Sequence, residues 1–132
     1  MTHPYDLNSV WPLPTLPVAL YPREGTKGTL TVEAQIDTGA DVTIVPNSLL
    51  DEIGSVEIFP TQIRSHWGEQ RRVSMHLIDM EVAGQRLPSV NVVADDQGDT
   101  ILLGRSVLNR LILLLDGPGK QTDILTRRPR RL

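Results

Sequence analysis

An all-β domain built from short strands is the fold class that this sequence predicts. Glycine and proline each occur ten times in 132 residues, which favours turns and short strands over long helices. Apolar and polar residues alternate in several segments, and only one clear helix pattern is present. The length suits one domain, and 39% hydrophobic with 22% charged residues indicates a chain that folds.

The first third of the chain predicts an arm followed by two strands. Residues 1–15 are rich in proline and lack a sustained period, so we expect an extended arm. "VALYP" and "TLTVEAQID" predict strands on either side of the turn "REGTKG". In the second strand every other residue is apolar, which predicts one buried face consisting of Leu30, Val32, Ala34 and Ile36.

The middle of the chain predicts a strand, one helical turn and a long hairpin. "DVTIVP" has the apolar character of a strand, and "NSLLDEIG" predicts a helical turn that Asn47 or Ser48 caps and Gly54 ends. Residues 61–84 suit a long hairpin with "HWGE" near its tip, and residues 85–95 suit a further strand.

The last third predicts the one clear helix and a closing hairpin. "RSVLNRL" has helical character, and "ILLLDGPGKQTDILT" predicts two strands around a glycine-proline-glycine turn. The tail "RRPRRL" is basic and is expected to be frayed. We therefore divide the chain into an arm at 1–15, a domain at 16–126 and a tail at 127–132.

Charge and cysteine content exclude several classes of site. The net charge of −3 and pI near 5.5 give no reason to expect a nucleic-acid partner. The absence of cysteine excludes disulfides, thiolate zinc sites and cysteine nucleophiles. No signal-peptide pattern and no apolar run of membrane-spanning length is present, so we expect a cytoplasmic protein without a membrane partner.

Two segments carry most of the functional information. They are "IDTGADVTIVP" at residues 36–46 and "ILLGRSVLNRL" at residues 101–111. Together they resemble the two signatures of the retropepsin-like, retroviral-type aspartic proteases, and the resemblance covers roughly residues 16–117. It implies a closed, barrel-like all-β fold with one short C-terminal helix and a flap hairpin, assembled as a homodimer.

The chemistry of peptide hydrolysis explains why an aspartate stands in the first segment. Without a metal or a covalent nucleophile, a base must activate water and an acid must protonate the departing amine. Two carboxylates that share one proton perform both tasks. This chain has a single Asp-Thr-Gly, so the catalytic residue Asp37 must meet its counterpart from a second copy, with no cofactor and no metal.

The resemblance also assigns roles to neighbouring residues. Thr38 would brace the partner's loop, Gly39 would allow close backbone approach, and Asp41 would pair with Arg105. The substrate would be a polypeptide in extended form beneath the hairpin. Its expected contacts are Gly39, Ala40, Asp41, Ile44, Trp67, Gly68 and Leu102. Gln35 and the bulky Trp67 depart from the retroviral pattern, which bears on subsite preference and flap mobility.

Other interpretations of these residues remain open. Asp37-Thr38-Gly39 could be a plain turn with a local hydrogen bond. The domain could be a catalytically silent module for dimerisation or peptide binding, or a fragment or subunit that needs another chain; the initial methionine and the closing strand favour a free-standing protein. The acidic loop and the histidines lack metal-site spacing, so we expect solvated or hairpin positions for Asp95, Asp96, Asp99, His3, His66 and His76.

Overall fold

A computed structural model describes residues 1–64 and 67–130 of the chain, and these residues are mostly β-strand. They contain ten strands and two short helices. The strands are β1 (Thr2–Pro4), β2 (Thr15–Tyr21), β3 (Val32–Ile36), β4 (Thr43–Pro46), β5 (Phe59–Arg64), β6 (Gln70–Val82), β7 (Gln85–Asp95), β8 (Ile101–Leu103), β9 (Ile112–Asp116) and β10 (Gln121–Leu125). The helices are α1 (Asn47–Glu52) and α2 (Arg105–Leu108). The predicted all-β class is confirmed.

Six strands close into a barrel. The order is β2-β3-β8-β4-β7-β6, and β2 also pairs with β6, which completes the ring. Two pairs are parallel, β3 with β8 and β4 with β7, so residues that follow β3 and β8 emerge at the same end of the barrel. β5 extends the ring by pairing with β6 as a long hairpin, in agreement with the hairpin predicted for residues 61–84. Residues 65–66 of its tip, including His66, lie outside the described residues.

Alternating apolar side chains from the barrel strands form the core. These side chains are almost fully buried: Leu16, Val18, Leu20, Ala34, Val45, Ile78, Met80, Val82, Val90, Val92, Ile101 and Leu103. Full burial of one such side chain contributes roughly 1.5–3 kcal/mol, so the closed barrel accounts for most of the stabilisation. The prediction that Leu30 belongs to the buried face of the second strand is wrong. Leu30 is 86% exposed because β3 begins only at Val32 and Leu30 lies in the preceding turn.

Both helices of the described residues are short. α2 follows β8 as predicted but spans only four residues. α1 occupies the predicted helical turn, so the described residues contain two helices, where the resemblance implied one short C-terminal helix. Its N-cap is Pro46, without a side-chain hydrogen bond, so the predicted caps Asn47 and Ser48 are wrong. The helix starts directly from the end of β4, where the fixed φ of proline already suits a helix start.

The proline-rich arm is partly a strand. β1 pairs with β10, and β10 pairs with β9, which gives a separate three-stranded sheet. Tail residues 127–130 are exposed, and residues 131–132 lie outside the described part of the chain. Among the described residues no helix has the length and apolarity needed to cross a bilayer.

A buried aspartate joins three parts of the barrel. Asp79 on β6 is 5% exposed and accepts hydrogen bonds from the backbone N–H groups of Glu24 and Ser89 and from Arg86 Nη2, at 3.1, 3.0 and 3.1 Å. Glu24 and Ser89 have φ of 58° and 54°, conformations that are costly for residues other than glycine. Arg86 also lies 4.1 Å from the centroid of the Tyr21 ring. Asp79 therefore stabilises two unfavourable backbone conformations, one in the turn after β2 and one at the register shift between β6 and β7, that the sequence pattern did not reveal.

Substitution of Asp79 should destabilise the fold in a pH-dependent way. Burial raises the pKa of Asp79, but the hydrogen bonds from Ser89, Arg86 and Glu24 and the charge of Arg86 outweigh it, so the pKa lies below the ordinary 3.8. The ionised form is thus favoured in the folded state. Its contribution is complete above the ordinary pKa and is lost as pH falls through the lowered pKa. We expect Asp79→Ala to lower the free energy of unfolding by about 3 kcal/mol at neutral pH.

Urea unfolding between pH 2 and pH 7 measures this effect. The difference between wild type and Asp79→Ala should shrink below about pH 4. Glu33→Ala is the matched control, because Glu33 is an exposed carboxylate on a barrel strand and its loss should change little. A difference between wild type and Asp79→Ala that stays constant across this range would contradict the proposed role of the ionised carboxylate.

Candidate active site

The Asp37 loop follows β3 at one end of the barrel. The backbone N–H of Asp37 donates to the carbonyl oxygen of Leu103 at 3.0 Å, which ties the start of the loop to β8. Within the loop, Gly39 N–H donates to Asp37 Oδ1 at 3.0 Å and Ala40 N–H donates to the Asp37 carbonyl oxygen at 3.2 Å. The local turn hydrogen bond considered for this tripeptide is therefore present, and it leaves the second carboxylate oxygen of Asp37 without a hydrogen bond among the described residues.

Gly104 allows the second segment to cross the Asp37 loop at close range. A Cβ atom at Gly104 would lie 2.1 Å from the carbonyl oxygen of Val42 and 2.9 Å from that of Ala40. The next two backbone N–H groups, of Arg105 and Ser106, donate to the carbonyl oxygens of Ala40 and Asp41 at 2.8 and 3.1 Å. The loop that carries Asp37 is thus held by backbone contacts that only a glycine at this position permits.

Arg105 holds two points of the loop with one side chain. It forms the ion pair with Asp41 that the sequence predicted, and its Nη1 donates to the carbonyl oxygen of Thr38 at 3.0 Å. The side chains of Asp41 and Arg105 are 82% and 45% exposed. A pair this exposed contributes only about 0–1 kcal/mol to the stability of the fold. Its effect is to orient the loop.

Replacement of Arg105 by lysine should separate this orienting role from stability. Lysine keeps the charge but presents a single ammonium group, which cannot form the planar fork that reaches Thr38 and Asp41 together. We expect Arg105→Lys to change the free energy of unfolding by less than about 1 kcal/mol. If the chain hydrolyses peptides, as the resemblance implies, displacement of the Asp37 loop should reduce that rate by about 10- to 100-fold.

Steady-state kinetics and urea unfolding on the same preparations provide the measurement. Arg110→Lys is the control, since Arg110 donates to carbonyl oxygens of Pro88 and Ser89, outside the Asp37 loop. Equal rates for wild type and Arg105→Lys would show that the fork has no orienting role.

A hydrogen-bonded pair of hydroxyl groups, one of them fully buried, supports this crossing, and sequence analysis missed it. Thr43 is fully buried, and its Oγ1 accepts from Gly104 N–H at 3.1 Å. Ser106 Oγ lies 2.9 Å from that oxygen and accepts from Thr43 N–H at 3.1 Å. The available signal was that Thr43 alternates with Val45 on the inward face of β4, where a hydroxyl needs a hydrogen-bond partner.

A cavity of about 350 Å³ lies between the loop and β5 of the hairpin. It is lined by Gly39, Ala40, Asp41, Val42, Ile44, Gln62, Ile63 and Arg64. Four expected substrate contacts therefore meet here, and Leu102 pairs directly with Ile44 on the neighbouring strand. Trp67 and Gly68 do not line the cavity, and Trp67 is 90% exposed.

Most of the remaining polar candidates have structural partners, but His3 Nε2 is buried without a hydrogen bond among the described residues. Arg71 on β6 forms ion pairs with Asp95 and Asp96 and donates to Gln97 Oε1 at 3.4 Å, so the acidic loop is attached to the hairpin. His76 is buried with Nδ1 2.8 Å from Ser55 Oγ; burial lowers its pKa, against the raising effect of Glu57 and Asp51. In the described parts of the chain, no group of three acidic, histidine or cysteine side chains could hold a metal ion.

One protein family matches the part of the chain that contains this site. The family model described as "gag-polyprotein putative aspartyl protease" matches residues 25–110, about two-thirds of the chain. The chain belongs to this family. The resemblance to retropepsin-like aspartic proteases is thereby confirmed, and the match contains both the Asp37 loop and the Gly104–Arg105 crossing. A search of curated proteins finds no match for this member of the aspartyl protease family.

Proposed function

We propose that the protein is an aspartic endopeptidase in which Asp37 of two copies activates the attacking water. The observation that carries the proposal is the position of Asp37 in a loop held by Leu103, Gly104 and Arg105 beside a cavity of about 350 Å³. One carboxylate accepts the proton of the water and the other donates a proton to the leaving amine. We expect activity at acidic to mildly acidic pH, because the mechanism needs one carboxylate and one carboxylic acid.

The second carboxylate has to come from a second copy. Asp41 is the other acid of the loop, and it is engaged by Arg105. Asp41 is the only carboxylate among the described residues that line the cavity, and Asp37 lies two positions before the lining residue Gly39. Two copies related by a two-fold axis would bring the two Asp37 side chains together, with Thr38 of each loop bracing the other. The reaction needs no metal and no cofactor, and we place it in the cytoplasm.

The substrate is a polypeptide in extended form. Gly39, Ala40 and Asp41 line one wall of the cavity, and β5 forms the other wall. An extended chain between them would bind as an added strand, with its side chains in alternating pockets. Ile44 and Leu102 supply an apolar wall, and closure of the hairpin would bring Trp67 and Gly68 over the peptide.

Digestion of an unfolded protein and a peptide library by the purified chain tests this function. We expect cleavage at acidic to mildly acidic pH. Cleavage should be blocked by pepstatin, and activity per chain should fall on dilution because the site forms only in the dimer. No cleavage at any pH, together with binding of peptides, would favour the alternative of a catalytically silent peptide-binding module.

A further inference from the structure

The charges that line the cavity beside the Asp37 loop leave one cation without a counter-ion. Two charged residues are among the lining residues, Asp41 and Arg64. The carboxylate of Asp41 is engaged by Arg105, whereas the guanidinium of Arg64 forms no ion pair with any described residue. Asp37 lies beside the cavity without lining it, and Glu69, close to Arg64 on the hairpin, does not line it either. The cavity therefore presents an uncompensated positive charge.

A smaller cavity of about 80 Å³ adjoins the first and is neutral. The two cavities share Ile44 and Ile63 as lining residues. The charged residues of the smaller cavity, Arg71 and Asp95, pair with each other at 3.7 Å. Its other lining residues are apolar: Val73, Val93 and Ala94. This cavity suits a small aliphatic side chain, so Arg64 is the one charge in the two cavities that the described residues leave uncompensated.

The alternation of β5 determines how a bound peptide would meet these groups. β5 pairs only with β6 among the described residues, so its other edge can accept an extended peptide. Along β5, Thr61 and Ile63 are half-buried, whereas Gln62 and Arg64 are exposed. A peptide paired with this edge places one side chain on the face of Ile63 and the next on the face of Arg64. Neighbouring residues of the peptide would therefore meet an apolar pocket and a cation.

We propose that Arg64 selects substrates with an acidic side chain, next in sequence to a small aliphatic residue. The inference rests on the proposed function, because it places the peptide in the cleft of that site. The guanidinium group offers parallel N–H donors that match the two oxygens of a carboxylate. A cleft that carries one sign of charge also raises the local concentration of ligands of the opposite sign. A lysine or arginine at the same peptide position would meet a like charge and be disfavoured.

Cleavage of a synthetic peptide library tests this selectivity. One position is fixed as Glu, Gln or Lys after a valine, with random flanks, at about pH 6, where a free glutamate side chain is ionised. We expect wild type to cleave the Glu peptides about fivefold faster than the Gln peptides, and the Lys peptides more slowly than either. Arg64→Ala should remove the difference between Glu and Gln, and Arg64→Glu should prefer Lys.

Arg72→Glu is the matched control for these variants. Arg72 is an exposed arginine on the neighbouring strand of the same hairpin, opposite Gln62, and it does not line the cavity beside the Asp37 loop. This substitution makes the same change in net charge as Arg64→Glu, so it measures the effect of overall charge. It should retain the preference of wild type for Glu.

Peptide binding separates this recognition from catalysis. Fluorescent peptides with Val-Glu or Val-Gln are titrated onto Asp37→Asn, with and without Arg64→Glu, and anisotropy gives the dissociation constants. Tighter binding of the Val-Glu peptide that depends on Arg64 would support the recognition even if wild type cleaves nothing, a result that would remove only the protease function. Cleavage without preference for Glu, or a preference that survives in Arg64→Glu, would overturn the role of Arg64 and leave the protease function intact. Neither binding nor cleavage of any peptide would overturn both.

Discussion

Asp37→Asn is expected to abolish cleavage and leave a folded protein. Asparagine keeps an Oδ1 atom that accepts the hydrogen bond from Gly39 N–H, so the loop should retain its conformation. It cannot take the proton of the attacking water, and loss of a general base costs about 10²–10⁴-fold in rate. Because both carboxylates of the pair are removed at once, the loss should reach at least the upper end of this range.

Steady-state cleavage of one peptide by wild type and Asp37→Asn provides the measurement, with circular dichroism and sedimentation to confirm fold and assembly. Asp99→Asn is the control, since Asp99 is an exposed carboxylate in the loop before β8 and, among the described residues, hydrogen-bonds only to Thr100. Retained cleavage by purified Asp37→Asn would remove Asp37 from the reaction.

Gly104→Ala is expected to damage the site and the fold together. The added methyl group would lie 2.1 Å from the Val42 carbonyl oxygen and 2.6 Å from its carbonyl carbon, and both are backbone atoms that no rotamer change can move away. Gly104 has φ of −90°, which alanine adopts without strain, so the effect is a pure steric one. Overpacking of this kind costs about 1–3 kcal/mol in stability. Displacement of residues 40–42 should also lower the cleavage rate by about 100-fold.

Thermal unfolding and cleavage kinetics on Gly104→Ala measure both consequences. Gly117→Ala is a close match for the control, because a Cβ atom at Gly117 has no neighbour within 4 Å and its φ is not positive. It should unfold and cleave as wild type does. Wild-type behaviour of Gly104→Ala would mean that the crossing of the two segments is loose and does not position Asp37.

The strands could be predicted from sequence because their information is local, whereas the closed barrel was implied only by the resemblance to a known family. Alternating apolar residues and turn residues mark β2, β3 and the β5–β6 hairpin within windows of a few residues. The ion pair between Asp41 and Arg105 was accessible through the resemblance to a known family, since the two residues are 64 positions apart.

The elements that were missed depend on distant partners. Asp79 was not singled out because its role appears only when Glu24, 55 residues away, reaches it through the folded barrel. Thr43 depends in the same way on Ser106. The pairing of β1 with β10 joins the two ends of the chain, and a proline-rich arm gives no local sign of it. The catalytic and substrate-binding roles themselves remain predictions.

Mixing wild type with Asp37→Asn tests the central claim, a catalytic pair with one Asp37 from each of two copies. The two proteins are combined at constant total concentration, well above the dimer dissociation constant, and allowed to exchange subunits. If each site needs two intact Asp37 side chains, activity should follow the square of the wild-type fraction, so an equal mixture retains about one quarter of the activity. Activity that falls in direct proportion to the wild-type fraction would show that each chain carries a complete site, and would contradict the proposal.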